Sequence, residues 1–311
     1  MNKVLMLLFV AGLAIIPLVS GDFYINLATQ ILIAAVFALS LNLLVGYGGL
    51  TSLGHVAFLG LSAYICAWTS TKLGVAPLVA IGLSLVITTM MSALFGLIAL
   101  RATGLGFLMI TLAISQVLWG LAYRWASVTN GDNGISGLTR PSLFGLSLDS
   151  ASSFYWLTLI ISIFAFILMA AFAMSAFGSS LQGTRDQARR MRALGYNVWL
   201  IRWITFIYSG FWAAVAGLLY VYYNKYIHPS ALSVTASAEA LLAVIAGGAG
   251  TLGGPIVGAA LLVFLKNYAS SFVERWNMLL GFIFVLIVLL MPDGIVPGVQ
   301  RLIRRMRGAQ S

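Results

Sequence analysis

Uncharged apolar runs of about 20 residues recur along this 311-residue chain, and each is long enough to cross a bilayer as a helix. Only helices and closed β-barrels satisfy their backbone inside lipid. Barrel strands alternate apolar and polar residues, whereas Leu159 to Ala173 is apolar on every side. The pattern therefore predicts an all-α membrane protein. Composition agrees: 8% of residues are charged, against about 25% in a soluble domain.

Ten spans are predicted, at 4–20, 25–45, 53–71, 75–99, 105–124, 154–177, 203–223, 235–249, 255–271 and 277–291. The first also resembles a signal peptide, with Asn2-Lys3, an apolar run and Pro17 to Gly21. An uncleaved span is the simpler reading. The net charge of +10 does not point to nucleic acid, because the arginines gather at 185–202 and 301–307. With ten spans, Lys3, Arg101 and both arginine groups fall on one side, the cytoplasmic side by the positive-inside rule. Region 235–271 is read as two short spans hinged at Gly250 to Gly254, which keeps the C-terminus inside; a re-entrant pair is the alternative. The whole chain, 1–311, reads as a single membrane domain. Its basic, amphipathic tail from 297 suits the inner leaflet.

Residues 178–202 form the predicted cytoplasmic loop. Thr184 and Gln187 have capping-box spacing. Asp186 near the start and Arg189, Arg190 and Arg192 later suit the helix dipole, and Gly195 supplies a left-handed stop. A helix of about ten residues is expected, with Ala188, Met191, Ala193 and Leu194 as a modest apolar side. It suits docking into a groove of another protein, or it is incidental to a basic loop.

The run Arg185-x-x-Ala188-x-x-x-x-Ala193-x-Gly195, followed by an apolar span, resembles the cytoplasmic loop of ABC importer permeases. Four more stretches resemble the branched-chain amino acid branch (LivM/LivH-like): Leu41 to Tyr64, Thr103 to Ala113, Asn130 to Leu138 and Ala243 to Ala259. The resemblance covers about 40–290 and implies several partners: a second homologous permease, two cytoplasmic ATPase subunits and a periplasmic substrate-binding protein. It also implies that the loop is a coupling helix. Arg185, Asp186, Ala188, Arg189, Arg192, Ala193, Leu194 and Gly195 are then the residues docked on the ATPase. Relatives that carry urea or short amides have similar motifs.

Candidate pathway residues are Asn42, Gly46, Gly48, Gly49, Thr51, Ser52, His55, Thr111, Asn133 and Gly134. The glycines read either as an unwound segment beside the pathway or as a tight turn with close packing. His55 reads as a hydrogen-bonded structural histidine. Asn130 to Gly134 is a turn at the outer mouth or a plain surface turn. Gly250, Gly254 and Gly258, four apart, suit close helix contact. Gly248-Ala-Gly250-Thr-Leu-Gly253 matches a dinucleotide fingerprint, but no strand precedes it and no acidic residue follows at the required distance. Glu239 is expected at the outer edge of the eighth span.

No cofactor or metal is expected; Cys66 stands alone, and His55 and His228 fall on opposite sides of the bilayer. No Gly-x-x-x-x-Gly-Lys-Ser/Thr sequence occurs, so ATP binding would belong to a partner. A stand-alone secondary transporter is the competing reading. The predicted spans hold no carboxylate away from their edges, which argues against proton coupling; sodium coupling stays open.

Overall fold

The computed structural model describes residue 17 and residues 21–143, 146–272 and 276–308. The expected span 4–20 and its signal-like run lie outside the described residues, apart from Pro17. Helices dominate. They are α1 Asp22–Asn42, α2 Val56–Thr71, α3 Pro77–Ala99, α4 Leu105–Arg124 and α5 Ala151–Met174, then α6 Ala176–Ala193 and α7 Val198–Asn224. α8 Val234–Gly248, α9 Gly254–Phe272, α10 Trp276–Leu290 and α11 Ile295–Gly308 follow. α1 runs into a π-helical turn, Leu43–Tyr47, and residues 48–55 cross to α2.

Among the described residues, α1 with its π turn, α3, α4, α5 and α7 are long and apolar enough to cross a membrane. α2, α8 and the apolar parts of α9 and α10 are shorter. Ten full spans are therefore more than the described helices supply by length. α8, at 15 residues, is about 22 Å long against a hydrocarbon core of about 30 Å.

α1 and α7 form the centre. α1 packs on α5, α7, α8 and α9; α7 packs on α1, α2 and α3. Lipid gives apolar helices no reason to prefer one another, so close approach of small residues and interhelical hydrogen bonds must hold them together. α3 supplies both along one stripe. Ala80, Ser84, Thr88, Ser92 and Gly96 recur every fourth position, and all are buried. The Ser84 hydroxyl donates to the Ser62 carbonyl of α2 at 2.7 Å, and the Ser62 hydroxyl donates to the Ala214 carbonyl of α7 at 2.9 Å. A side chain on Gly210 would meet Ser92. The other faces of α3 expose Val79, Val86, Met90 and Leu94, a sheath suited to lipid tails.

The 178–202 region differs from the sequence expectation. α6 starts earlier, at Ala176, where the Ser175 side chain caps it by accepting from the Gly178 amide at 3.2 Å. Thr184 is no cap: it is buried inside the helix, and its hydroxyl donates to the Leu181 carbonyl at 2.8 Å. The helix breaks at Gln187 (φ −150°, ψ 85°). The reason is tertiary. Arg202 of α7 donates to the Thr184 carbonyl at 2.8 Å, a carbonyl that an unbroken ladder would pair with residue 188. The far end matches its motif. Gly195 is left-handed (φ 88°), with Tyr196 N–H bonded to the Met191 carbonyl and Gly195 N–H to the Arg192 carbonyl, both at 3.0 Å.

Region 235–271 forms two helices, α8 and α9, packed on each other and joined at 249–253. Added side chains on Gly247 and Gly258 would strike the Gly254 and Ala243 carbonyls respectively. Gly254 and Gly258 thus serve the α8–α9 crossing. Gly250 (φ 80°) instead sits in the turn, against α1.

Candidate functional site

Two places on this scaffold combine buried polar groups with a route to motion or ligand. The first is a knot where α1, α6 and the α8–α9 turn meet. Asn42, buried at the last turn of α1, donates to the Thr251 carbonyl and accepts from the Gly250 amide, both at 2.9 Å. Four residues on, Gly46 lets the Gly250 backbone approach so closely that a methyl group would overlap it. Arg185 of α6 completes the knot. Its Nη1 donates to the Gly46 carbonyl, its Nε donates to Asp186 at 3.0 Å, and its stem lies across Gly49. Gly49 is left-handed (φ 65°), so glycine is needed there for backbone and contact alike.

Beyond Arg185 the coupling candidates mostly lie on the surface. Asp186, Arg189, Arg192, Ala193, Leu194 and Gly195 are exposed, and Ala188 is half-buried. Leu194, Tyr196 and Trp199 add an exposed apolar knob.

The remaining pathway candidates are mostly structural in their contacts. Ser52 is buried and accepts from the Gly54 amide at 3.2 Å; Thr51 is half-buried. A side chain on Gly48 would press on the Leu44 carbonyl. Thr111 is buried, donates to the Leu108 carbonyl at 2.9 Å, and abuts Gly54. His55 is fully buried between Phe37 and Phe58, with Nε2 2.9 Å from the Ser40 hydroxyl and 3.3 Å from that of Ser209. Those hydroxyls already donate to the Phe37 and Ser40 carbonyls. The Nε2–H tautomer, donating to Ser40, is therefore the one that fits.

Asn133 and Gly134 belong to a knitted loop. Tyr226 donates to the Asn133 carbonyl at 3.1 Å, Gly134 is left-handed (φ 67°), and Ile135–Ser136 pairs antiparallel with Tyr226–Ile227. Arg140, absent from the sequence candidates, anchors this end. It donates to the Tyr222, Tyr223 and Leu148 carbonyls at 3.1–3.3 Å and lies 4.2 Å over the Phe154 ring. Burial lowers its pKa from the ordinary guanidinium value.

The second place is a cleft of about 500 Å³ between α1, α2, α7, α8 and α9. None of the ten pathway candidates lines it. Its walls include Ile33, Ala34, Phe37, Leu59, Ala243 and Leu262, and its polar groups include Gln30, Tyr223, Glu239 and Lys266. Glu239 and Lys266 pair at 3.4 Å. Lys266 was legible as a cation inside a predicted span, and such a residue marks function by default. Counting only acids and histidines passed it over.

A helical membrane scaffold with a largely apolar cleft that carries a few polar groups is an architecture suited to a transport protein. The family model for the permease component of branched-chain amino acid transport systems matches residues 23–289, and the chain belongs to that family. The high-affinity branched-chain amino acid transport permease LivM of Salmonella typhimurium (strain LT2) is 26% identical over 296 residues, covering 88% of this chain and 70% of that protein. LivM of Escherichia coli (strain K12) is 25% identical over 308 residues, covering 92% and 72%. The autoinducer 2 import permease LsrC of Escherichia coli O9:H4 (strain HS) is 29% identical over 181 residues, covering 56% and 50%. These relatives are permease proteins of transport systems, not enzymes. No solved structure matches the chain.

Proposed function

We propose that this chain is a permease subunit of an ATP-driven importer in the bacterial inner membrane. With a second homologous permease it forms the translocation pathway for branched-chain amino acids. Two cytoplasmic ATPase subunits drive the pair, and a periplasmic binding protein delivers the substrate. Residues 185–195 dock on an ATPase subunit. The chain crosses the membrane about ten times, the short helices α8 and α9 included, and its C-terminal helix lies on the cytoplasmic leaflet.

One observation carries the coupling role. Arg185 sits at the root of an exposed basic segment and holds the Gly46 carbonyl, beside the Asn42–Gly250 contact. A push on that segment therefore acts at once on the π turn of α1 and on the α8–α9 turn. Among the described residues the packed interior around α1 and α7 is joined by small residues and hydrogen bonds, and the Glu239 carboxylate on the cleft wall is already paired with Lys266.

The test is reconstitution of the chain with its three kinds of partner in liposomes. Leucine uptake should require ATP and every partner. Arg185→Ala should retain ATP hydrolysis and lower uptake by about tenfold or more, the size of an ordinary coupling energy. Concentrative uptake by the chain alone would make it a secondary transporter. Energised uptake that survives scrambling of 185–195 would remove the docking role.

A further inference from the structure

The coupling knot makes no use of the ion pair in the cleft. Glu239 lies in the second turn of α8 and Lys266 near the C-terminal end of α9, with the side chains 16% and 50% exposed. With Lys266 half exposed, the pair itself adds little to stability, yet charged groups are rare on helices this apolar. Keeping both charges on a cavity wall therefore calls for a role besides stability. A neutral polar patch adjoins them: Asn267 donates to Gln30 at 3.0 Å, and Gln30 donates to the Tyr223 hydroxyl at 2.9 Å. The rest of the wall is apolar, with Ile33 and Leu262 on it, and is notched where Ala34, Ala38 and Ala243 are small.

We propose that this cleft is the substrate's station within the membrane, where Glu239 receives the α-ammonium and Lys266 the α-carboxylate of an amino acid. The inference rests on the permease reading above and sharpens it: the cleft selects a zwitterion with an apolar side chain over a neutral amide. A zwitterion entering an apolar cavity loses the water around both charges. Opening the Glu239–Lys266 bridge around it exchanges one ion pair within the protein for two between protein and substrate. The cleft stays neutral throughout. When the substrate leaves, the bridge closes again and strands no charge, so the station need not hold what it carries. A neutral amide brings no counter-charges and leaves the bridge shut. The apolar notches receive the branched side chain, and Gln30 and Tyr223 offer hydrogen bonds at the cleft's polar side, Gln30 held from behind by Asn267.

The experiment measures uptake of labelled leucine by liposomes holding the whole importer, with binding-protein-stimulated ATP hydrolysis followed on the same vesicles. Glu239→Gln and Lys266→Met are each expected to lower uptake by about tenfold or more while stimulated hydrolysis stays within about twofold. The reversed pair, Glu239→Lys with Lys266→Glu, keeps the bridge but exchanges its poles, and should remain inactive. Uptake unchanged in the single variants, or restored by the reversed pair, would make the bridge structural and overturn the proposal. Loss of assembly in the single variants, regained on reversal, would make the cleft a seat for the second permease and overturn it equally. If all three variants fail to assemble, Glu239→Asp and Lys266→Arg decide. Reduced uptake with intact hydrolysis supports the station, and unchanged uptake overturns it. A wild-type importer that moves no leucine with ATP and all partners present sinks the permease reading itself, a failure seen before any variant is made.

Discussion

α1 and α3 are both long, apolar and uncharged through their middles, yet they live in different surroundings. In its most apolar stretch α1 is 83% buried and α3 only 22%. In water, apolarity decides which surface goes inside. In lipid it decides only that the helix enters, and sorting falls to small and polar residues. α1 carries Gln30, Ser40 and Asn42, each bonded to another part of the chain, and is wrapped on several sides. α3 carries one stripe of small and polar residues at every fourth position and turns the rest outward. Central helices are therefore specified around their circumference, and peripheral ones along a line.

The strongest way to break this comparison is a matched pair of glycine substitutions. Gly217 of α7 abuts the Leu59 carbonyl and the Ser62 hydroxyl of α2, whereas Gly82 of α3 has open space around it. Gly217→Val should cost on the order of 3 kcal/mol and strip the protein of a cooperative thermal transition in detergent. Gly82→Val should stay within about 0.5 kcal/mol. Equal losses would mean that α3 is buried by a surface not described here, such as a partner's.

A second substitution stays within α3. Ser92→Leu, on the stripe against Gly210, should cost about 1–3 kcal/mol by overpacking, while Val86→Leu on the sheath should be neutral. Thermal midpoints of the two proteins check this. If both are neutral, the stripe does not position α3.

The smallest effect is expected at His55→Phe, which keeps the aromatic stack with Phe37 and Phe58 but removes the donor to Ser40. A loss of about 1 kcal/mol with leucine uptake retained fits a structural histidine. Uptake lost without any change in stability would put His55 in the pathway.

The helices were legible because length and apolarity suffice to mark them, though five of the described ones reach spanning length. Among the described residues, α4, α8, α9 and α10 begin and end within about one residue of the sequence reading, and the others within about five. The every-fourth stripe of α3 stands in the spacing of Ser84, Thr88, Ser92 and Gly96, but the sequence reading did not single it out. What was not legible is which polar residues meet. Thr184 and Gln187 have capping-box spacing, but the approach of Arg202 from the next helix opens the chain at Gln187 instead. His55 read as a hydrogen-bonded histidine, but its partners Ser40 and Ser209 were not legible, and Asn42, a lining candidate, bonds a turn more than 200 residues away.

The sequence alone determined that this chain is a helical membrane protein of a permease family, because solvent choice and motif are properties of local runs. The tertiary structure decided which glycines are turns and which are contacts, that Arg185 reaches Gly46, and that Glu239 faces Lys266 across a cleft. Those are pairings between segments far apart in the chain. In a medium where every helix is equally apolar, only the geometry of close approach chooses among them.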